Sequence, residues 1–419
     1  MFWLIETKDQ LNRFFTKDLD KVFIEIIPFS FNTHPADCNP ISLVYVKPLD
    51  SKGHIMAISH SETLNGLDLE WLDRCKTVYV RDKKEFLHYY FHSNIVDLTL
   101  NKPNYQKPFT PTHNYFYSKH PNKENLNTII PVTKHYEYCE NLFNELKSEI
   151  NVPINDFYNR RSTVVFYALE TSGIHIDAEK FSNQFYPTNR EYVYPSYNFK
   201  TITTRPSNKF RGVNYSALSK KDDSRIPFIP RNDVFVEMDI SAYHPTLLAK
   251  LIDYKFDDGD IHKSFSKMYG VEYKEAKQLT FKMLYSGNFG KYSDLEFFSK
   301  AQDFTNILWE DFNTQGYIEC PISKYKFRKD TLDNMTPSKL LNYLLQNLET
   351  SNNVIILCKI FKLLKEYNTK LVLYNFDSFL FDFDRTEKKL FNSLKNIFSE
   401  RELKIKISYG SNYSSLQPL

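Results

Sequence analysis

The chain has 419 residues, 42% hydrophobic, 25% charged and 16% aromatic, with 54 Lys and Arg against 51 Asp and Glu and a formal charge of +3. That balance excludes intrinsic disorder and leaves apolar material for two or three domains, while only 10 glycines, far below the roughly 7% of average usage, exclude Gly-rich phosphate loops and long flexible linkers. Five widely spaced cysteines without a C-x-x-C pair, no run near the ~18 apolar residues of a membrane span, and no signal-peptide layout lead to the expectation of a soluble, cytoplasmic protein without disulfides or zinc.

In chain order, residues 1 to about 98 alternate strand-like runs (Val22–Ile27, Ser42–Val46, Thr77–Val80) with short helical patterns, an α/β signature. Residues 101–125 carry four prolines and little helical periodicity, and read as an ordered loop or linker. Helical spacing returns over Val132–Leu146 and over Asp156–Glu170, the latter stopping at Gly173. Val234–Asp239 reads as a strand ending in an aspartate, followed by a helix that tolerates Pro245 only in its first turn. Further helices are expected over Ile261–Tyr269, Lys274–Tyr285 and Ser338–Tyr367, then a hairpin over Leu371–Phe381 with Asp377 at its tip.

Asp239 and Asp377 stand out by context. Carboxylates brought together from a strand end and a tight turn suit hard cations with oxygen ligands, and two such ions can serve a phosphoryl displacement. Taken singly, each reads as a helix cap or a turn residue. The helix from Lys274 carries Lys274, Lys277, Phe281 and Tyr285 on one stripe, cations at one end and aromatics at the other, which suits a triphosphate below a base. A core-facing aromatic stripe with solvated lysines is the commoner fate of such a pattern.

In this order the segments resemble family A DNA polymerases, the group of DNA polymerase I. Ile226-Pro227-Phe228-Ile229-Pro230-Arg231 and Asp239-Ile240-Ser241 are similar to the entry to motif A, and Asp260-Ile261-His262 to the D-I-H triplet. Lys277-x3-Phe281-x3-Tyr285 is similar to motif B, Asn342-x3-Gln346 to the N-x3-Q helix, and Asp377 to the aspartate of motif C. Leu169–Asp177 resembles the helix end that precedes the thumb, and Tyr409–Tyr413 the closing segment, so the resemblance spans 157–419. It implies an α+β fold: a right-handed palm-and-fingers polymerase domain over 151–419, preceded by an RNase H-like α/β domain of 3′–5′ exonuclease type over 1–150. It further implies that Asp239, Asp377 and the Ile240 backbone hold two Mg²⁺ ions, with Mn²⁺ as a substitute. By the same resemblance His262, Lys274, Lys277, Phe281, Tyr285, Tyr243 and His244 meet the incoming dNTP. Primer-template DNA is met by Arg205, Asn214, Asn342 and Gln346.

Several positions depart from the family. Tyr273 stands where a phosphate-binding Arg is usual, His244 where a Glu screens out ribonucleotides, and Ser378 where a second carboxylate follows Asp377. Only 27 residues separate Asp177 from Arg205, where the family inserts its thumb, so weak duplex holding and a processivity or priming partner are expected. Glu25 lies where a strand bearing D-x-E is expected, without an acid at Ile27, and Asp82 and Asp97 are possible further ligands; a two-metal nuclease needs several converging carboxylates, so an inactive domain is expected. Residues 199–231 hold eight cations, Arg205, Arg211 and Arg225 among them, against two aspartates; this net +6 leaves −3 elsewhere and reads as a DNA-facing strip. The leading reading is a compact, virus- or mobile-element-encoded DNA polymerase without proofreading. A primase or RNA polymerase on the same palm follows from His244, and a decayed nucleic-acid-binding relic from Ser378 and Tyr273.

Overall fold

The computed structural model describes residues 3–14, 19–37, 39–49, 51–57, 69–105, 111–120, 126–208, 212–256, 260–287 and 289–419. Packing divides the chain into one unit of Met1–Ile174, Tyr192–Lys200 and Asn208–Asn214 and a second of His175–Glu191, Thr201–Ser207 and Tyr215–Leu419.

In the first unit, strands β1 (Trp3–Ile5), β2 (Lys21–Pro28), β3 (Ile41–Pro48), β4 (His54–Ala57), β5 (Thr77–Val80) and β6 (Ile95–Asp97) form a mixed sheet in the order β1-β4-β3-β2-β5-β6. Helices α1 (Lys8–Phe14), α2 (Lys83–Leu87), α3 (Pro111–Lys119), α4 (Val132–Leu146) and α5 (Thr163–Ser172) accompany it. The runs of β-branched and aromatic residues in β2 and β3 are apolar on both faces, as a strand covered on both sides requires. Alternation sends Val22, Ile24 and Ile26 to a core shared with Phe86 and Leu87 of α2, and Phe23 and Tyr45 to a core shared with Tyr138, Leu142 and Leu146 of α4. Val164 and Tyr167 of α5 pack on the first of these cores, which is why the unit runs on to Ile174 rather than ending near residue 150.

Two expectations change here. The 101–125 stretch contains helix α3; Pro111 opens it, and tertiary bonds hold it where periodicity is weak. The Tyr117 hydroxyl donates to Asn127 Oδ1 at 2.8 Å and accepts from the Phe31 amide at 3.0 Å. The helix expected over 156–170 is present but contains a π-helical turn, Tyr158–Ser162, whose Asn159 bonds the backbone of β6 through Asp97 N and Ile95 O.

The acidic residues of this unit are neutralised from within. Arg81 Nε lies 3.0 Å from Glu25 Oε1, and its NH2 pairs with Glu85. Lys200 Nζ lies 2.8 Å from Asp97, 3.1 Å from Asp82 and 2.6 Å from the Thr99 hydroxyl. Burial pushes the Asp82 carboxyl up, but Lys200, Lys84 and Arg81 outweigh it and hold it well below the ordinary range.

The second unit is built on a five-stranded sheet in the order β12-β13-β9-β14-β15. Two-residue strands β7 (Ile174–His175) and β8 (Tyr192–Val193) precede it in the chain. Its strands are β9 (Val234–Ile240), β12 (Lys370–Asn375), β13 (Ser378–Phe383), β14 (Ile405–Gly410) and β15 (Gln417–Pro418), all antiparallel to their neighbours; β10 (Tyr317–Glu319) and β11 (Lys326–Arg328) form a separate ribbon. The helices are α6 (Ala178–Gln184), α7 (Tyr243–Leu251), α8 (Ile261–Tyr269), α9 (Tyr273–Ser286), α10 (Glu296–Thr314), α11 (Pro337–Leu364) and α12 (Lys388–Ser399). Asp260 caps α8 by accepting from His262 N and Lys263 N, and Gly270 and Gly287, both at φ +66°, close α8 and α9. Phe265, Tyr269, Phe297 and Phe298 lock α8 against α10 through ring contacts. The 28-residue α11 packs against α7, α9, α10 and α12 and is buried along most of its length.

Replacing Lys200 with Met strips the fully buried Asp97 of its cation. We expect a loss of about 3–5 kcal/mol in a urea titration. A loss under about 1 kcal/mol contradicts the internal neutralisation described above.

Candidate active site

The site in the second unit grows out of three local features. β9 carries Asp239 next to its C-terminal end, and the chain then turns into α7 through Ala242, held at φ +48°. On the neighbouring hairpin a two-residue turn, Phe376-Asp377, joins Asn375 to Ser378, with Phe376 at φ +59°. Both are left-handed positions that normally favour glycine, and each costs about 1–3 kcal/mol. The register pairs Ser378 with Asp239, and Ile240 N donates to Asp377 O at 2.8 Å, so the turn and the strand end are fixed together. The third feature is α9, whose i, i+4 row of Lys277, Phe281 and Tyr285 forms the opposite wall.

One pocket is bounded by Asp239, Asp377, Ile240, Tyr243, His244 and His262 together with Lys277, Phe281, Tyr285 and Arg205. Glu349 of α11 and Lys406 of β14 complete its wall, and neither was singled out by the sequence. Glu349 had a signal: Glu349-Thr350-Ser351-Asn352-Asn353 is a fully buried polar block inside an otherwise apolar helix. Its two asparagines are bonded, while Thr350 Oγ1 and Glu349 Oε1 have no hydrogen-bond partner. Asn353 donates to Phe376 O at 2.7 Å and to the Tyr374 hydroxyl at 2.9 Å, and it accepts from the Tyr243 hydroxyl at 2.7 Å. Asn352 donates to the Tyr243 hydroxyl at 2.8 Å and accepts from Arg401 Nε at 2.6 Å. The Arg205 guanidinium stacks 3.9 Å over the Phe376 ring, with its NH2 3.5 Å from Glu349 Oε1.

The electrostatics are those of crowded carboxylates. Asp239 is pushed up to about 7 by burial, by Asp377 and by Glu237, against the opposing pull of Lys220 and Lys277. Asp377 is also raised, by the packing around its carboxyl and by Glu349, although the turn residue as a whole remains open to solvent. Glu237, two residues before Asp239 on β9, is buried and accepts a bond from the Ser378 hydroxyl at 2.8 Å. Ser378 therefore adds no charge here; the third acidic group on this side of the sheet comes from β9. Asp382 accepts from Arg231 N and Asn232 N, both at 2.9 Å, and ties down the approach to β9. Burial and Lys277 lower His262 to about 4, so it is a neutral imidazole at physiological pH, with its buried Nδ1 unbonded.

Other expected residues fall elsewhere. Lys274 is exposed and does not line the pocket, because it sits roughly 60° round α9 from the Lys277 row. Tyr243 lines the pocket but spends its hydroxyl on Asn352 and Asn353, which makes it a buried strut. Asn342 Nδ2 donates to Tyr285 O at 3.0 Å, and Gln346 Oε1 accepts from the Thr203 hydroxyl at 3.0 Å, so both brace the pocket region from α11. Arg225, expected to face DNA, is buried: its guanidinium donates to Leu218 O at 2.8 and 3.1 Å and stacks 4.3 Å from the Tyr413 ring. Asn214 is exposed and belongs to the first unit. Arg211 lies outside the described residues. The basic strip is thus not one continuous face, since Lys200 and Arg225 satisfy internal groups.

The fold is similar to that of the polymerase domain of Pol1 from M. smegmatis, solved in complex with a DNA primer-template and dNTP. The match has a TM-score of 0.67 at 12% sequence identity and covers 98% of this chain and 99% of that chain. The chain therefore has a polymerase-like fold. No protein-family model and no curated relative matches the sequence. Among the described residues, no helix is long and apolar enough to cross a membrane.

The raised Asp239 pKa has a sign that can be measured. Its penalty is absent below the ordinary value of 3.8, grows as pH rises, and is complete above about 7. In chelator-containing buffer Asp239→Asn should stabilise the fold by roughly 1–3 kcal/mol at about pH 8 and by little at about pH 4. Equal effects at the two pH values, read by denaturant titration, contradict the crowded-carboxylate description.

Proposed function

We propose that the chain is a template-directed DNA polymerase that adds dNTPs to a primer 3′-OH. The observation that carries this reading is the convergence of Asp239 and Asp377 on the Lys277-Phe281-Tyr285 wall, within a polymerase-like fold. The primer oxygen attacks the α-phosphorus, the bond to the pyrophosphate oxygen breaks, the hydroxyl proton passes to solvent, and pyrophosphate leaves. Asp239 and Asp377, with the Ile240 carbonyl, would hold Mg²⁺ or Mn²⁺. The donor set fits a hard cation, because Asp239 and Asp377, both raised by burial and by neighbouring acids, carry an excess of negative charge that such an ion relieves. Bound there, the ions supply Lewis-acid stabilisation of the charge that develops on the transferring phosphate.

The rest falls to the chain itself. Lys277 adds a positive charge on the side of the pocket opposite the aspartates, and neutral His262 offers a hydrogen bond to a phosphate oxygen rather than a second cation. Phe281 and Tyr285, stacked with ring centroids 6.0 Å apart at 17°, offer an apolar platform for a base. Arg205, held flat on Phe376, would meet primer or template. In the segment between Asp177 and Arg205 the only α-helix is α6, seven residues long, which supports a much reduced thumb and a need for a processivity partner. The first unit is proposed to be a nuclease-type domain that no longer cleaves, because Arg81 and Lys200 sit on the acids that a metal would need. A second reading, RNA or primer synthesis, is favoured by one observation: His244 lines the pocket, and the nearby carboxylate, Glu349, is tied to its Nε2.

Extension of a labelled primer on a DNA template tests the proposal. The expected result is Mg²⁺-dependent dNTP incorporation that falls by at least about 10³-fold in Asp239→Ala and in Asp377→Ala. Binding of primer-template with no extension under Mg²⁺ or Mn²⁺ leaves the chain a nucleic-acid-binding relic. NTP-only extension moves it to the RNA-synthesising class.

A further inference from the structure

A second polar cluster lies in the first unit, built from His34, His88 and Glu170. His34 sits in the turn that follows β2, His88 caps the C-terminal end of α2, and Glu170 lies near the end of α5. One ligand atom from each lies within 4.8 Å of those of the other two. His88 Nε2 is 3.2 Å from Glu170 Oε2, and His34 Nε2 is 3.9 Å from the same oxygen. The Glu170 and His88 side chains are 2% exposed and that of His34 is 16% exposed. Both imidazoles are oriented by aromatic neighbours: His34 stacks on Tyr194 with centroids 5.7 Å apart at 13°, and His88 meets Tyr167 edge to face at 4.9 Å.

The bonding of this cluster is incomplete in one place. Glu170 Oε1 accepts from Lys84 Nζ and from Tyr197 N, both at 2.6 Å, which leaves Oε2 to the imidazoles. Burial pushes the Glu170 carboxyl up, but Lys84 and the two histidines outweigh it and hold it below the ordinary range, so it is ionised. An ionised carboxylate only accepts, so His88 Nε2 carries its ring proton. His34 Nδ1 accepts from Ala36 N at 3.1 Å, which puts the His34 proton on Nε2, where it has no hydrogen-bond partner. Burial lowers His34 to about 4, with His88 and Lys84 adding to it and Glu170 opposing, so the ring is neutral at physiological pH. A buried ring nitrogen left unbonded beside an ionised carboxylate lacks a partner, and one cation would serve it together with Glu170 and His88.

We propose that His34, His88 and Glu170 bind one Zn²⁺ ion that clamps the turn after β2 to α2 and α5. Imidazole and carboxylate are ordinary zinc ligands, at about 2.0–2.2 Å from the ion, so two ligands of one tetrahedral zinc stand roughly 3.3 Å apart. His88 Nε2 and Glu170 Oε2 already have that separation, and His34 has only to close in on them. Each ring keeps its proton: it moves from Nε2 to Nδ1, Nε2 bonds the ion, and His34 gives up its Ala36 bond in exchange. Lys84 stays on Oε1, its charge offset by Asp82 and Glu85 as well as by Glu170. Two imidazoles suit zinc and are a poor match for a hard ion such as Mg²⁺. With His88 and Glu170 enclosed, the fourth position falls to water rather than to a substrate, and the ion is structural. The cysteine spacing that argued against zinc does not bear on a set without cysteine, and the inference is independent of the polymerase reading.

The test is Zn²⁺ binding to the full chain, stripped of metal with a chelator and titrated against a competing zinc indicator. The Asp239→Asn/Asp377→Asn double variant serves as the reference, so that the carboxylates of the second unit do not contribute. One zinc per chain is expected, with a Kd of about 10 µM or below. In that background His34→Ala, a change in a turn, and His88→Asn should each weaken binding by about 10²-fold or more. Co²⁺ in place of Zn²⁺ should give the visible spectrum of a tetrahedral site. A Kd weaker than about 10 µM in the reference chain overturns the proposal, as does undiminished binding in either folded histidine variant. If neither histidine variant folds, the cobalt spectrum of the reference chain decides: tetrahedral coordination supports the site, and octahedral coordination overturns it.

Discussion

The polar stretch buried in the middle of α11 is the constraint on which the second unit depends. A helix that packs on four others would be expected to bury only apolar side chains, and Asn347, Glu349, Asn352 and Asn353 are instead fully enclosed. Leaving any one unbonded costs about 1–3 kcal/mol. The surrounding segments bond all of them except one Glu349 oxygen, Oε1, and in doing so acquire their positions. Asn353 holds the carbonyl of Phe376 and thereby the turn that presents Asp377. Asn347 holds Thr203 and Thr204, and so the approach to Arg205. Glu349 holds His244, and through it Tyr285. The strained turn at Phe376 persists because these bonds and the Arg205 stack over-determine it.

A second consequence is electrostatic. The polar helix and the sheet bring four carboxylates, Asp239, Asp377, Glu237 and Glu349, into one neighbourhood, where burial and the neighbouring acids make ionisation of Asp239 and Asp377 costly. Lys220 opposes this only from an exposed position, 68% of its side chain being in solvent. The first unit holds an acidic cluster of the opposite kind, with Arg81 and Lys200 buried against Glu25, Asp82 and Asp97. One cluster is already neutralised by the chain; the other invites an external cation. That contrast is why the chemistry is proposed for the second unit.

Much of this was readable from residue order. The strand ending in Asp239, the helix row Lys277-Phe281-Tyr285 and the hairpin around Asp377 are local patterns with periods of two and 3.6, and each appears where its pattern lies. What escaped was set by long-range pairing. Nothing near Arg225 in sequence announces that Leu218 O and the Tyr413 ring will claim it. Nothing near Lys200 points to Asp97, 103 positions earlier. α3 forms despite its prolines and weak periodicity because Tyr117 finds Asn127 and Phe31. Glu349 lay in view as part of a polar block within an apolar helix, but only the fold shows that the block faces the same pocket as the two aspartates.

The central claim is that one pocket, between the Asp239–Asp377 pair and the α9 wall, is where a nucleotide is joined to a primer. A crystal structure of the chain with primer-template, a non-extendable dNTP and Mg²⁺ tests it most directly. The account predicts metal density on Asp239 and Asp377, with the triphosphate beside Lys277 and His262 and the base against Phe281 and Tyr285. A nucleotide seated elsewhere, with both aspartates free of metal, would contradict it.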